Sequence, residues 1–172
     1  RSLSSFDKIA ISGGFDKVIL KEGSTESVTI EVSGIDADKI KTEVKGSTLE
    51  IGMKHGNWSN FKAKITVTYK NIRELASSGS TDIVAESVLK GDEFEVATSG
   101  SGDFTGTFDV RELEIAISGS SDMHLSGRAD KQEIAISGSG DVDASALKGS
   151  EAEVAISGSG DVKLGVDGPI RT

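Results

Sequence analysis

The run Gln132-Glu133-Ile134-Ala135-Ile136-Ser137-Gly138-Ser139-Gly140-Asp141 decides the fold, because its second half recurs along the chain at near-constant spacing. The other copies are Ser78-Gly79-Ser80-Thr81-Asp82, Ser99-Gly100-Ser101-Gly102-Asp103, Ser118-Gly119-Ser120-Ser121-Asp122 and Ser157-Gly158-Ser159-Gly160-Asp161, with start-to-start offsets of 21, 19, 19 and 20. A fixed period of this length marks a solenoid, in which each repeat is one coil and neighbouring coils bury each other.

Read at period two, the strand before each of the last four turns separates into two faces. One face carries Val96, Ile115, Ile134 and Val154, then Thr98, Ile117, Ile136 and Ile156, then glycines 100, 119, 138 and 158. Past the turn, Phe104, Met123, Val142 and Val162 resume the apolar phase, so this face points inward. The opposite face repeats Glu-Ala-Ser-Ser-Asp, as in Glu133, Ala135, Ser137, Ser139 and Asp141. A helix would scatter these columns around its cylinder, and Gly and Ser would weaken it. The polar segments Lys90-Gly91-Asp92, Asp109-Val110-Arg111, Arg128-Ala129-Asp130 and Lys148-Gly149-Ser150 read as turns of variable length.

The expected fold is all-β: a right-handed parallel β-helix of about five coils over residues 77–172, preceded by a hairpin-rich region over 1–76 that caps or extends it and shares its core. Within that region Val18-Ile19-Leu20 and Ser27 to Val32 flank a polar link and read as one hairpin. Thr42-Glu43-Val44 and Leu49-Glu50-Ile51 read as a second, and Phe61 to Tyr69 as a longer alternating strand. Ser12-Gly13-Gly14-Phe15-Asp16 is a degraded copy of the turn, which places the first strands at the end of the stack.

Composition narrows the function classes. The chain has 172 residues and a formal charge of 19 − 28 = −9, which argues against nucleic acid and anionic membranes as partners. It has no cysteine, hence no disulfide framework, thiolate nucleophile or Cys-ligated zinc. No stretch approaches the roughly 18 apolar residues of a membrane-spanning helix. Arg1 in place of Met reads as the start of a mature or trimmed chain.

The Ser-Gly-Ser-Gly-Asp turns, the strand-rich region before them and the length resemble the auto-transporter adhesin, head GIN domain family, over about Phe6 to Ile170. The resemblance implies a β-helical domain exported to the cell envelope or exterior, with an adhesion role and no catalytic residue to carry over.

Three features are candidate sites. The aspartates Asp103, Asp122, Asp141 and Asp161 form a column, a candidate for calcium. At the strand spacing of about 4.8 Å, neighbouring carboxylates repel by roughly 0.9 kcal/mol even in water, so bonds from the turns or a cation must offset them. Calcium wants six to eight oxygens, which one Asp per coil does not supply, so turn capping is the stronger reading. The flat Ala/Ser strip is a surface for a partner, a glycan or another copy. His55, Asn57 and Trp58 lie in a polar loop and are candidates for ligand binding, against the plainer role of Trp58 as a lid on the local core.

No cofactor or catalytic set is expected. The leading reading is a non-enzymatic exported module, at the cell surface or in the periplasm, acting as adhesin or scaffold. Its partner is a surface molecule or glycan, or a second copy through the solenoid edge or the Ala/Ser face. The alternative is a glycan-binding or glycan-cleaving β-helix.

Overall fold

The computed structural model describes all 172 residues, and all its strands belong to one wrapped, 15-stranded sheet. On the wall before the turn stand β7 (Glu74–Gly79), β9 (Leu89–Gly100), β10 (Phe104–Gly119), β11 (Met123–Gly138) and β13 (Glu151–Gly158). They pair in parallel and in register, so Ala97, Ala116, Ala135 and Ala155 stack as neighbours. Beyond the turn, β8 (Asp82–Ala85), the start of β10, the start of β11, β12 (Val142–Gly149) and β14 (Val162–Val166) build the second wall. The repeated-coil solenoid is therefore as expected.

The first strands extend this stack. β1 (Lys8–Gly13) pairs in parallel with β7, matching Ser12 with Ser78 and Gly13 with Gly79, and β2 (Lys17–Glu22) pairs in parallel with β8. On their other side lie β5 (Thr48–Met53) against β1 and β6 (Lys62–Tyr69) against β2, both parallel. The chain thus lays down one coil, crosses to its far side for another, and returns to continue the stack. β4 (Ile40–Lys45) and β3 (Ser27–Ser33) close that end as antiparallel partners of β5 and β6.

Two expectations need correction. β2 and β3 do not form a hairpin: β6 and β8 take both edges of β2, so the returning β3 lands on the far edge of β6. The β4–β5 hairpin does form, with Gly46 at φ +61° in its two-residue turn. Nor are three of the four polar segments turns: residues 90–92, 109–111 and 128–130 lie inside continuous strands, and only the fourth breaks the chain, at Ser150 between β12 and β13. Val110 and Ala129 are buried inside the 16-residue strands β10 and β11, which corner at Arg111 and Asp130 and keep their pairing on either side. Each of these coils has one sharp turn, the Ser-Gly motif.

The core is one cluster of 35 buried residues running from Phe6 to Val154. The inward columns behave as read, with Val96 at 0% and Ile134 at 3% exposure, except at the last coil. There Ile156 is 43% exposed, because the short β15 (Ile170–Arg171) covers only Ala152 and Glu153 of β13. Gln132 is a polar insertion in the core: its amide donates to the Ala129 and Leu147 carbonyls beside the one-residue bulge between β11 and β12.

Candidate functional site

The turn carries a ladder of cross-coil bonds. The Asp103 N–H donates to Asp82 Oδ1 at 3.0 Å, and Asp122, Asp141 and Asp161 repeat this onto Asp103, Asp122 and Asp141 at 3.0, 3.1 and 2.9 Å. The following N–H, from Phe104, Met123 or Val142, donates to the aspartate carbonyl of the next coil, at 2.9–3.0 Å. The carboxylates from Asp82 to Asp141 therefore each clasp the backbone of the next coil, where the turn chemistry had suggested capping of their own turns. Charge-assisted N–H bonds of this kind offset the repulsion along the column. No group of three or more His, Cys, Asp or Glu side chains is arranged to hold a metal ion.

The His55–Trp58 loop folds back on itself. Trp58 is half-buried over Gly56, its indole Nε1 donates to the Lys54 carbonyl at 2.8 Å, and the Lys39 ammonium lies 5.7 Å from its ring centroid. His55 and Asn57 are exposed. None of the three borders the groove described next.

The Ala/Ser strip is concave. A groove of about 1120 Å³ crosses β1, β7, β9, β10, β11 and β13, floored by the alanines from Ala10 to Ala155 and the serines from Ser12 to Ser157. At roughly 4.8 Å per strand, those six strands span about 24 Å. The groove ends at the cap. In register with Ala10 stands Glu50, and Lys41 of β4 reaches it at 2.8 Å. Lys41 holds the Glu50 carboxyl below its ordinary range, and Glu50 with Glu43 raises the lysine, so this end wall is charged at neutral pH. The N-terminal third, Ala10, Ala76 and their serines, was not read as part of the strip. The signal was present: Ile9-Ala10-Ile11-Ser12-Gly13 is identical to Ile115–Gly119 and Ile134–Gly138.

Beside the groove runs the Glu74, Glu95, Glu114, Glu133 column. Burial within this row, then the charges of Glu114 and Glu74, push Glu95 above the ordinary Glu range, with Lys8 opposing. A carboxyl raised on folding makes the folded state bind more protons, so its penalty stands above its folded pKa and fades as pH falls toward the ordinary Glu value. Glu95→Gln should therefore raise the melting temperature slightly at neutral pH, and the gain should vanish near pH 4. Thermal melts across that range would show a pH-independent difference if the column exerted no such strain.

The whole chain has relatives. Residues 5–172 match the family described as "Putative auto-transporter adhesin, head GIN domain". The chain belongs to this family. A crystal structure of a "putative adhesin" from Bacteroides fragilis superposes with a TM-score of 0.86 at 23% identity, over 99% of this chain and 82% of the other. A "putative lipid binding protein" from Parabacteroides distasonis gives 0.69 at 20% identity, over 99% and 91%. A "putative adhesin" from Parabacteroides merdae gives 0.65 at 19%, over 99% and 90%. At such identities these likenesses establish the fold. Comparison with curated proteins gives no match. No helix is long and apolar enough to cross a membrane.

Proposed function

We propose that this head GIN chain is a non-enzymatic, exported adhesin-type module that seats its partner in the Ala/Ser groove. One observation carries the reading: strict repetition of small side chains across the six strands from β1 to β13 keeps a long channel open, and a charged wall stops it at one end. Repetition extends the same surface with every coil, which suits an elongated partner lying across the strands. The adhesin-type family and the Bacteroides fragilis relative support adhesion and export.

Sugar sites usually present aromatic faces, and the groove lining has none, so a glycan partner ranks second to an aliphatic one. The name of the Parabacteroides distasonis relative supports the aliphatic choice.

The test uses two probes on the 172-residue chain, a fluorescent fatty acid and a glycan array. Ala135 is exposed in the middle of the groove, so Ala135→Trp fills the channel without entering the core. Saturable binding of a probe should fall at least tenfold in Ala135→Trp while the melting temperature holds. Binding that ignores this substitution, or release of reducing sugar from a glycan, would defeat the proposal.

A further inference from the structure

The carboxylates beside the groove are unevenly served. Lys8 lies 3.5 Å from Glu74 and Lys131 lies 2.9 Å from Glu133. Between them Glu95 and Glu114, in register on β9 and β10, form no ion pair. Each stands two residues along its strand from the groove floor at Ala97 or Ala116, about 7 Å away on the same outward face. On their far side opens a second cleft of about 140 Å³, whose lining includes Glu93, Glu95, Glu112 and Glu114. Arg111 serves the outer two, at 3.6 Å from Glu93 and 2.6 Å from Glu112, and the other cations of the cleft, Arg73 and Lys131, are held by Asp7 and Glu133. Glu95 and Glu114 are thus the unpaired charges between cleft and groove. Burial there, and next the charge of Glu114, is what raises the Glu95 carboxyl.

The groove changes character at the same level. Its inward column is aliphatic at Ile117 and Ile136, but Ser77 and Thr98 hold that column on β7 and β9. All four residues border the groove. Thr98 is 6% exposed and its hydroxyl has no hydrogen-bond partner, an unspent group of a kind that native structures seldom leave. Polar groups therefore mark the groove at β7 and β9, and aliphatic ones continue it over β10 and β11.

We infer, on the reading that the groove is the binding site, that its occupant is a long aliphatic chain with an ammonium head. The chain lies over the Ala/Ser floor toward β11, and the head sits at the rim between Glu95 and Glu114. An anionic head would meet the same two carboxylates and be repelled. A polypeptide suits the floor less well. Strands β7, β9, β10 and β11 are already paired on both sides, so a peptide laid across them finds no backbone partner for its own N–H and C=O groups.

Decylammonium, decanol and decanoate, each below its micellar concentration, separate head from chain in calorimetric titrations of the 172-residue chain. At low salt decylammonium should bind at least tenfold tighter than decanoate, with decanol between them. Glu95→Gln combined with Glu114→Gln should erase the difference between decylammonium and decanol. Glu26→Gln combined with Glu31→Gln removes the same charge away from the groove and should leave the ranking intact. Equal binding of the three probes, or a preference for decanoate, overturns the inference alone when Ala135→Trp still abolishes binding. No saturable binding, or binding indifferent to Ala135→Trp, overturns the groove reading with it. An equal loss in the Glu26 and Glu31 variant overturns the inference, because net charge would then explain the preference. So does a peptide of lysine and leucine that binds more tightly than decylammonium.

Discussion

Gly138→Ala should cost roughly 3 kcal/mol or more of folding stability, against total stabilities of about 5–15 kcal/mol for ordinary domains. Gly138 sits at φ +132°, a region essentially closed to other residues, and a Cβ there would lie 2.3 Å from the carbonyl oxygen of Gly119 in the preceding coil. That oxygen accepts the Ser139 N–H at 2.9 Å, so retreat of the backbone would break the clasp at the turn. The neighbouring Ser139→Ala removes an exposed hydroxyl and should stay within about 0.5 kcal/mol of wild type. Urea denaturation of both variants measures the difference, and a loss below about 1 kcal/mol for Gly138→Ala would show that the coils can separate locally at little cost. At Gly102 the approach is as tight, a Cβ there lying 1.9 Å from the Thr81 carbonyl oxygen, although Thr81 and Ser121 hold the same place in their own coils.

Phe108→Ala should cost about 3–5 kcal/mol, the range for removing a buried ring. Phe108 is 1% exposed, packs edge-on against Phe94 with centroids 5.5 Å apart, and lies 6.1 Å from Phe104. Its neighbour in the next coil is Gly127, so no side chain at that level can collapse into the space left behind. Leu89, in register on the preceding coil, occupies the same column as a smaller side chain. Phe108→Leu should therefore lose clearly less than Phe108→Ala. Denaturation midpoints with an unchanged m-value would establish that stability alone has moved. Equal losses for Leu and Ala would mean that ring shape, and not filled volume, governs this site.

Phe108 also shows where sequence reading stopped. The Phe94–Asp103 and Leu113–Asp122 stretches alternate strictly, and their columns, turn and register were legible because period two and the constant spacing act on the same residues. The segment from Asp109 to Arg111 carries charge at both ends and so resembled a turn, although Val110 continues the buried alternation of Phe104, Gly106 and Phe108 and the phase slips only at Arg111-Glu112. A corner in a continuous strand has the polarity of a turn while its chain keeps pairing sideways, and only the adjacent coil supplies that partner. Likewise the alternation of Phe61 to Tyr69 identified β6 as a strand but did not reveal its insertion between β2 and β3.

The candidate site divides in the same way. The Ala and Ser columns from Ala97 and Ser99 onward were visible as repetition, and so was the Asp ladder. That the strip is concave, that it begins at Ala10 and that Lys41 and Glu50 wall its end depended on where β1, β4 and β5 stack.

By itself, then, the sequence determined the solenoid, its period, its inward and outward columns and its family, because each of these is a local pattern repeated until neighbours must match. Tertiary structure alone decided the order of coils at the cap, the closing of one end and the exposure of Ile156 at the other. Those depend on which edges meet across the chain, for example β1 paired with β7 across 66 residues, and no local period records such a choice.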